Sequence, residues 1–445
     1  MAYSTVQDLF ADISTFEHAV VAYVDPDGYP VNVATGFHVD NDHNVIRLDA
    51  PAVPSRVGEG SEVNVTFSHI RPYPGVGYDQ RRYVSVWGTV TRANGSIEVT
   101  PARSHGWDEE RLSFFELCER SVPAAHRYIR KVGAEQGRTI KPMMSLGWVV
   151  FLATRLPFLT GTVVPVMLGA VIARAHGFSQ WWLTVLALMG ACAIHLGLNV
   201  LNDVSDATSG ADEANVNPTM YSGGSRVIQY GLVSLRAMRV TAACLYAVGI
   251  GIGLYLVATR GIELLWIGLI GVFLSVFYTA PPLRLVHRGL GELCVAIGFG
   301  PVMVLGTYFV VAKQLSWEAF YASLPVAIFI MLILYVNQIP DRRSDAATGK
   351  RTIVVRLPKS AIVWGYAASV AAALGLIIGG VGAGIMPAWT LIALLPIPIA
   401  VQVYKAISSH YDSPYELMKG MGQNVALHFF TGVLLILGYV LAIVF

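Results

Sequence analysis

The sequence predicts a multidomain protein, a small N-terminal β-barrel with a helix followed by an all-α membrane domain of nine transmembrane helices. Three observations carry this expectation. Of 445 residues, 54% are hydrophobic and only 13% are charged, with a mean hydropathy of +0.54, whereas soluble domains carry about 25% charged residues. The charges are unevenly placed: residues 1–145 hold 32 with a net of −4, and residues 146–445 hold 28 over twice the length with a net of +6. The first part alternates with strand period, and the second is a series of long apolar runs. The predicted domains are therefore 1–145 and 146–445.

In chain order, the opening MAYSTVQDLFADIS has neither a basic n-region nor an apolar h-region, so it is not a secretory signal and this part is expected in the cytosol. Strand-like alternation follows in HAVVAYV (18–24), a turn at Asp25-Pro26-Asp27-Gly28, and PVNVATGFHV (30–39). After Asn41-Asp42 come NVIRLDA (44–50), EVNVTFS (62–68), RYVSVWGTVTR (82–92) and SIEVT (96–100). Turn signals between short β-rich runs predict the barrel. A helix over about 107–132 and a polar linker to about 145 complete this domain.

Apolar stretches long enough to cross a bilayer fall at about 146–173, 181–201, 237–258, 262–280, 290–312, 318–337, 360–384, 386–404 and 424–445. With a cytosolic N-terminus, the loops after spans two, four, six and eight carry thirteen Lys and Arg, and the opposite loops carry three, Arg174, Arg260 and Lys313. The positive-inside rule then puts the C-terminus outside. The protein is expected as a multi-pass component of the inner (plasma) membrane. A total charge of +2 without a basic block excludes an electrostatic case for nucleic acid. Cys118, Cys192, Cys244 and Cys294 show neither a metal spacing nor a disulfide framework.

Five of the eleven acids in the membrane part sit in two short stretches on the basic side. After the second span the chain reads Asn202-Asp203-Val204-Ser205-Asp206, then Gly210 and Asp212. After the sixth it reads Asn337-Gln338-Ile339-Pro340-Asp341-Arg342-Arg343-Ser344-Asp345, then Gly349-Lys350-Arg351-Thr352. If these stretches are helical, spacing of four stacks Asn202 with Asp206, and Asn337 with Asp341 and Asp345. Two opposed oxygen-bearing faces suit Mg²⁺, which takes a few carboxylates plus water and phosphate oxygens. Acids at these helix C-termini oppose the helix dipole, and a bound cation offsets that repulsion. Ionisable groups at membrane depth are functional candidates, and a cation-coupled transporter satisfies the same pattern.

The segments NDVSDATSGAD (202–212), YSGGSRVIQYGLVS (221–234), YTAPPLRLVHRGLGEL (278–293) and NQIPDRRSDAATGKRTIVVRL (337–357) resemble the UbiA superfamily of intramembrane prenyltransferases. Within it they are closest to the 1,4-dihydroxy-2-naphthoate polyprenyltransferase branch, over roughly 148–445. The resemblance implies nine helices around a central cavity that binds an allylic polyprenyl diphosphate, with its head group at Mg²⁺ and its tail in a lipid-facing groove. It implies metal and diphosphate roles for Asn202, Asp206, Asp341 and Asp345, with Asp203 and Asn337 as additions. Arg226, Arg284, Arg288, Lys350 and Arg351 would clamp phosphate oxygens, which guanidinium groups meet two at a time. Arg155 beside Pro157, Tyr278, and His195 seven residues before Asn202 are further candidates, each with a purely structural alternative. The implied acceptor is dihydroxynaphthoate, which loses its carboxylate during menaquinone synthesis. Hydroxybenzoate, homogentisate, porphyrin and glycerol phosphate acceptors of sister branches stay open.

In the first domain, the strand with Arg47, the loop Ser55-Arg56, the strand Asn64-Val65-Thr66-Phe67 and RRYVSVWG (81–88) resemble the pyridoxamine-phosphate-oxidase-like split barrel. That family's flavin-phosphate contacts lie on positions matching Arg47, Ser55 and Arg56, and so imply FMN. The usual serine–lysine loop has arginine here, and the alternative is a barrel without ligand that serves as a dimerisation or scaffold module. A third reading makes the barrel a flavin or haem sensor with a membrane anchor, which leaves the two acidic motifs unexplained.

Overall fold

The structure is a computed structural model that describes residues 3–445 apart from 4, 26, 50–56, 58, 74–76, 94–95, 113 and 216–217. The chain divides into two compact units, Met1–Cys118 and Glu119–Phe445.

The first unit opens with α1 (Val6–Ile13), whose first turn is capped by the Thr5 hydroxyl accepting from the Asp8 N–H at 3.0 Å. Seven strands follow: β1 (Ala19–Val24), β2 (Pro30–Thr35), β3 (Phe37–Asp40), β4 (Val45–Leu48), β5 (Glu62–Tyr73), β6 (Gly77–Ala93) and β7 (Ser96–Asp108). They form one antiparallel sheet in the order β2-β1-β5-β6-β7-β4-β3. β2 and β3 are opposite edges, yet only Gly36 separates them, so the sheet must curl until its edges meet. A Cβ at Gly36 would stand 2.3 Å from Asp49 Oδ2, so a larger residue at that corner obliges the Asp49 carboxylate to swing aside. The strand expected at 30–39 is therefore two strands. Phe10 and Ile13 of α1 close one side of the curl, over Val21, Ile46, Leu48, Val65, Phe67, Val86 and Val99.

The second unit is helical. It begins within α2 (Phe114–Glu135) and continues with α3 (Leu146–Ala153), α4 (Leu156–Ala175), α5 (Trp181–Ser209), α6 (Leu235–Arg260), α7 (Glu263–Thr279) and α8 (Gly291–Ala312). It ends with α9 (Trp317–Ala347), α10 (Lys359–Gly382), α11 (Ala388–His410) and α12 (Pro414–Val444). Among the described residues, eight of these helices are long and apolar enough to cross a membrane, and α7 is a shorter apolar helix of 17 residues. Trp181, Trp266, Trp317 and Trp364 are exposed on the outside of the bundle, as expected of side chains that meet lipid or its interface.

Two departures from the expected spans position the site. The span expected at 146–173 is broken at Arg155, which adopts a left-handed conformation with φ 53°. Pro157 supplies the reason: it has no N–H for the carbonyl of Ala153 and its ring crowds that turn. Conversely, α5 and α9 run on past 201 and 337 to Ser209 and Ala347. Both acidic motifs are thus helical, and Pro340 costs α9 a backbone hydrogen bond without ending it, as membrane helices tolerate.

Candidate active site

On α5, the Asn202 amide donates to Asp206 Oδ2 at 3.2 Å, the contact that a spacing of four dictates. On α9, Asn337, Asp341 and Asp345 occupy successive turns. Lys350 joins the two faces. Gly349 turns the chain after α9 with φ 77°, and the Lys350 N–H donates to the carbonyl of Asp345 at 2.8 Å. Its ammonium then lies 3.4 Å from Asp206 Oδ1 and 3.4 Å from Asp345 Oδ1. Burial pulls the Lys350 pKa down, but Asp206 and Asp345 outweigh it and hold the ammonium above its ordinary value.

The loop between α5 and α6 ties the motifs together from the side. Gly223 and Gly224 both have positive φ, 78° and 77°, which frees the backbone N–H groups to turn inward. The Gly223 N–H donates to Asp341 Oδ2 at 3.0 Å and the Ser225 N–H to Asp203 Oδ2 at 3.2 Å. The Asn215 amide donates to Asp341 Oδ1 at 2.8 Å. Asp203 also pairs with the Arg155 guanidinium, which the break before α4 delivers to it. Asp212 accepts from the Gln229 amide at 3.0 Å. Burial, then Asp206 and Asp203, push its carboxyl up to about 8.

These groups surround a cavity of about 170 Å³ whose polar end is lined by Asn202, Asp206, Asn337, Asp341, Asp345 and Lys350. Leu198, Tyr278, Val295 and Phe299 line both this cavity and a second, apolar one of about 330 Å³ between α5, α6, α7 and α8. A charged compartment thus adjoins one suited to hydrocarbon, with these side chains common to both. Asn337 Oδ1, Asp345 Oδ2 and both amide atoms of Gln338 are buried without a hydrogen-bond partner, and orphaned acceptors of this kind require an explanation. Among the described residues, no group of three or more His, Cys, Asp or Glu is arranged to hold an ion, and the ammonium of Lys350 stands 3.4 Å from both Asp206 and Asp345. The donors are nevertheless all hard oxygens, and the unfilled acceptors Asn337 Oδ1 and Asp345 Oδ2 fit a cation of the Mg²⁺ type.

The structure brings together Asn202, Asp206, Asn337, Asp341, Asp345 and Lys350 from the expected set. It does not bring Asp203, Arg226, Arg284, Arg288 or Arg351 into the cavity lining. Asp203 is buried beneath it with Arg155 and Ser225. Arg226 Nη1 donates to the carbonyl oxygen of Asp212. Arg284, Arg288 and Arg351 are exposed, and Arg288 Nη2 donates to the Pro282 carbonyl at 3.3 Å. Arg155, Tyr278 and His195 do line the cavity. His195 also hydrogen-bonds the Thr162 hydroxyl at 2.7 Å and meets the Phe299 ring edge-on, so it is firmly packed as well. Asn215, Tyr221, Gly223 and Gln338 were not singled out from the sequence. The adjacent glycines of YSGGSR were a signal for the loop's inward turn, whereas nothing local marks Asn215.

In the first unit, Arg47 is already engaged: Nη2 lies 2.7 Å from Asp40 Oδ2, and Nε donates to Glu98 Oε1 at 2.9 Å. A flavin phosphate at this guanidinium would meet two carboxylates, so the described residues do not fit FMN there. Ser55 and Arg56 lie outside the described residues.

Residues 162–421 match the UbiA prenyltransferase family. The chain is 27% identical over 307 residues to the 1,4-dihydroxy-2-naphthoate octaprenyltransferase of Bacillus subtilis (strain 168), covering 69% of this chain and 97% of that one. It is 29% identical over 292 residues to the 2-carboxy-1,4-naphthoquinone phytyltransferase of Synechocystis sp. (strain ATCC 27184 / PCC 6803 / Kazusa), covering 64% and 91%. A solved UbiA homolog from Archaeoglobus fulgidus bound to GPP and Mg²⁺ aligns with a TM-score of 0.45 at 15% identity, over 64% of this chain and 99% of that one.

Proposed function

The chain belongs to the UbiA prenyltransferase family, and from that premise we propose that it transfers a polyprenyl group from an allylic polyprenyl diphosphate to 1,4-dihydroxy-2-naphthoate, in menaquinone biosynthesis. The observation that carries this reading is the meeting of the two acidic helix faces and Lys350 in a cavity that shares lining side chains with a neighbouring apolar one. The names of the Bacillus and Synechocystis relatives support a naphthoate-type acceptor.

Asp206, Asp345 and Asn337 would hold Mg²⁺, which when bound supplies positive charge to the departing diphosphate. Lys350 offers its ammonium to the same oxygens. As the allylic C–O bond breaks, its electron pair leaves with the diphosphate, and the ring carbon bearing the acceptor carboxylate forms the new C–C bond. As that bond forms, the neighbouring hydroxyl gives up its proton and becomes a carbonyl; the carboxylate then departs as CO₂, leaving its bonding pair to the ring, and the oxygen takes a proton back. Tyr278 and Phe299, which line both cavities, flank the junction between head group and chain. The apolar walls limit capture of the allylic cation by water.

In the same reading α7 is a ninth crossing, the helices enclose a central cavity, and the thirteen basic residues put the site and the N-terminal unit on the cytosolic side of the inner membrane. Prenyl transfer in membranes, from a polyprenyl diphosphate to a panel of aromatic acceptors, tests the proposal. Dihydroxynaphthoate is expected to be the preferred acceptor. EDTA should abolish turnover, and Asp206→Ala should lower it by about 100-fold, the scale of losing one group that stabilises transition-state charge. Metal-independent transfer, or full activity of Asp206→Ala, would sink the assignment.

A further inference from the structure

Lys350 stands where the preceding reading puts a divalent cation. Its ammonium is 3.4 Å from a carboxylate oxygen on α5, Asp206 Oδ1, and 3.4 Å from one on α9, Asp345 Oδ1. All three side chains are shielded, with 12% of the lysine exposed against 8% and 5% of the carboxylates. The other charges nearby have other commitments. Arg155 is paired with Asp203, and Asp341 is held by Asn215 and Gly223. Asp206 and Asp345 therefore share the ammonium of Lys350, one positive charge against two carboxylates. Buried carboxylates without a counter-charge are strongly disfavoured, so removing the ammonium without replacing it would drive the two faces apart.

A metal ion bound by the same oxygens would sit about 2 Å from them, and hence within a few ångströms of the ammonium. The two cations exclude each other unless Lys350 finds another anion. Its backbone is fixed by the hydrogen bond to the Asp345 carbonyl, while its four-carbon stem is free to swing. We propose that Lys350 is a placeholder cation: it holds the two acidic motifs together before substrate arrives, opposes the binding of bare metal, and passes to the diphosphate when metal and diphosphate bind together. The idea rests on the metal–diphosphate reading of the site. Asn337 Oδ1 and Asp345 Oδ2, which the ammonium leaves unsatisfied, are the oxygens on which the metal then draws. The consequence is a coupling between ligands: diphosphate raises metal affinity, and by linkage metal raises diphosphate affinity equally.

The test is Mn²⁺ binding, read by electron paramagnetic resonance, to the full chain in lipid nanodiscs with and without inorganic pyrophosphate. The wild-type protein should bind Mn²⁺ weakly alone and at least about ten-fold more tightly with pyrophosphate, a change of one decade in the binding constant. Lys350→Met should bind Mn²⁺ alone about ten-fold more tightly than wild type and gain less from pyrophosphate. Lys350→Gln, whose amide still bridges the carboxylates without charge, should do the same and decides the matter if the methionine variant does not fold. Variants that bind Mn²⁺ alone no more tightly than wild type, while wild type binds it with pyrophosphate, overturn the placeholder role and leave the metal–diphosphate reading standing. Absence of bound Mn²⁺ in every protein, pyrophosphate included, removes that reading and this inference with it.

Discussion

Arg155 and Asp203 show at the scale of single residues how a charge is kept in a membrane protein. Asp203 is 2% exposed, and it accepts from the Arg155 guanidinium on one oxygen and from the Ser225 N–H on the other. Breaking one side of such a pair leaves an uncompensated buried charge, which costs about 3–5 kcal/mol. Arg155→Met strands the Asp203 carboxylate at 2% exposure, whereas Asp203→Asn strands a guanidinium that is 23% exposed and keeps an acceptor for the Ser225 N–H, so the methionine variant is expected to have the lower melting temperature in detergent. Equal melting temperatures would show that the pair does not carry the local structure. The sequence marked Asp203 as a catalytic candidate by its place in the motif. It had no means of showing that the side chain points away from the cavity lining, because one step of 100° around a helix separates Asn202 from Asp203 and only packing decides which side faces substrate. Asn202, Asp206, Asn337, Asp341 and Asp345 were legible together because a spacing of four survives any rotation of the helix.

Among elements, α4 and α8 approach each other backbone to backbone beside the site. Gly169 lies on α4 where a Cβ would stand 2.5 Å from the backbone oxygen of Val304 and 3.1 Å from Thr307 Cβ. Small residues permit this approach, and dispersion across it is what holds membrane helices together once both faces are apolar. Gly169→Ala must push the helices apart, at a cost of about 1–3 kcal/mol. Gly268 on α7, where a Cβ meets nothing within 4 Å, is the matched control. Thermal unfolding should show a loss for Gly169→Ala and none for Gly268→Ala. Helix propensity favours alanine over glycine at both positions, so a loss of the same size in both would show that the close approach at Gly169 is not its cause. The elements also show where local reading stops. Hydropathy located the spans, but it ended the second and sixth at the edge of their apolar runs, whereas α5 and α9 continue to Ser209 and Ala347. A helix does not end where its residues become polar. It ends where its backbone finds other partners.

At the scale of the whole molecule, the proposed topology rests on the charge distribution. On that proposal, the thirteen-to-three excess of basic residues on alternate loops corresponds to Phe445 outside and the α9–α10 loop inside. An alkaline phosphatase fusion, active only outside the cytosol, should be active after Phe445 and silent after Arg351. The reverse pattern would invert the proposed topology. The sequence by itself determined that there are two different parts, that the second is built of membrane-spanning helices, and that two acidic helix faces lie on its basic side. Each follows from composition, periodicity or spacing within one segment. Only the tertiary structure decided that Lys350 meets Asp206, 144 positions away in the chain, that Gly223 and Asn215 hold Asp341, and that Arg284, Arg288 and Arg351 lie outside the cavity lining. The physical reason is that an apolar face looks the same in sequence whether it meets lipid or another helix, so which helices meet, and which loop side chains fold in between them, is settled by packing alone.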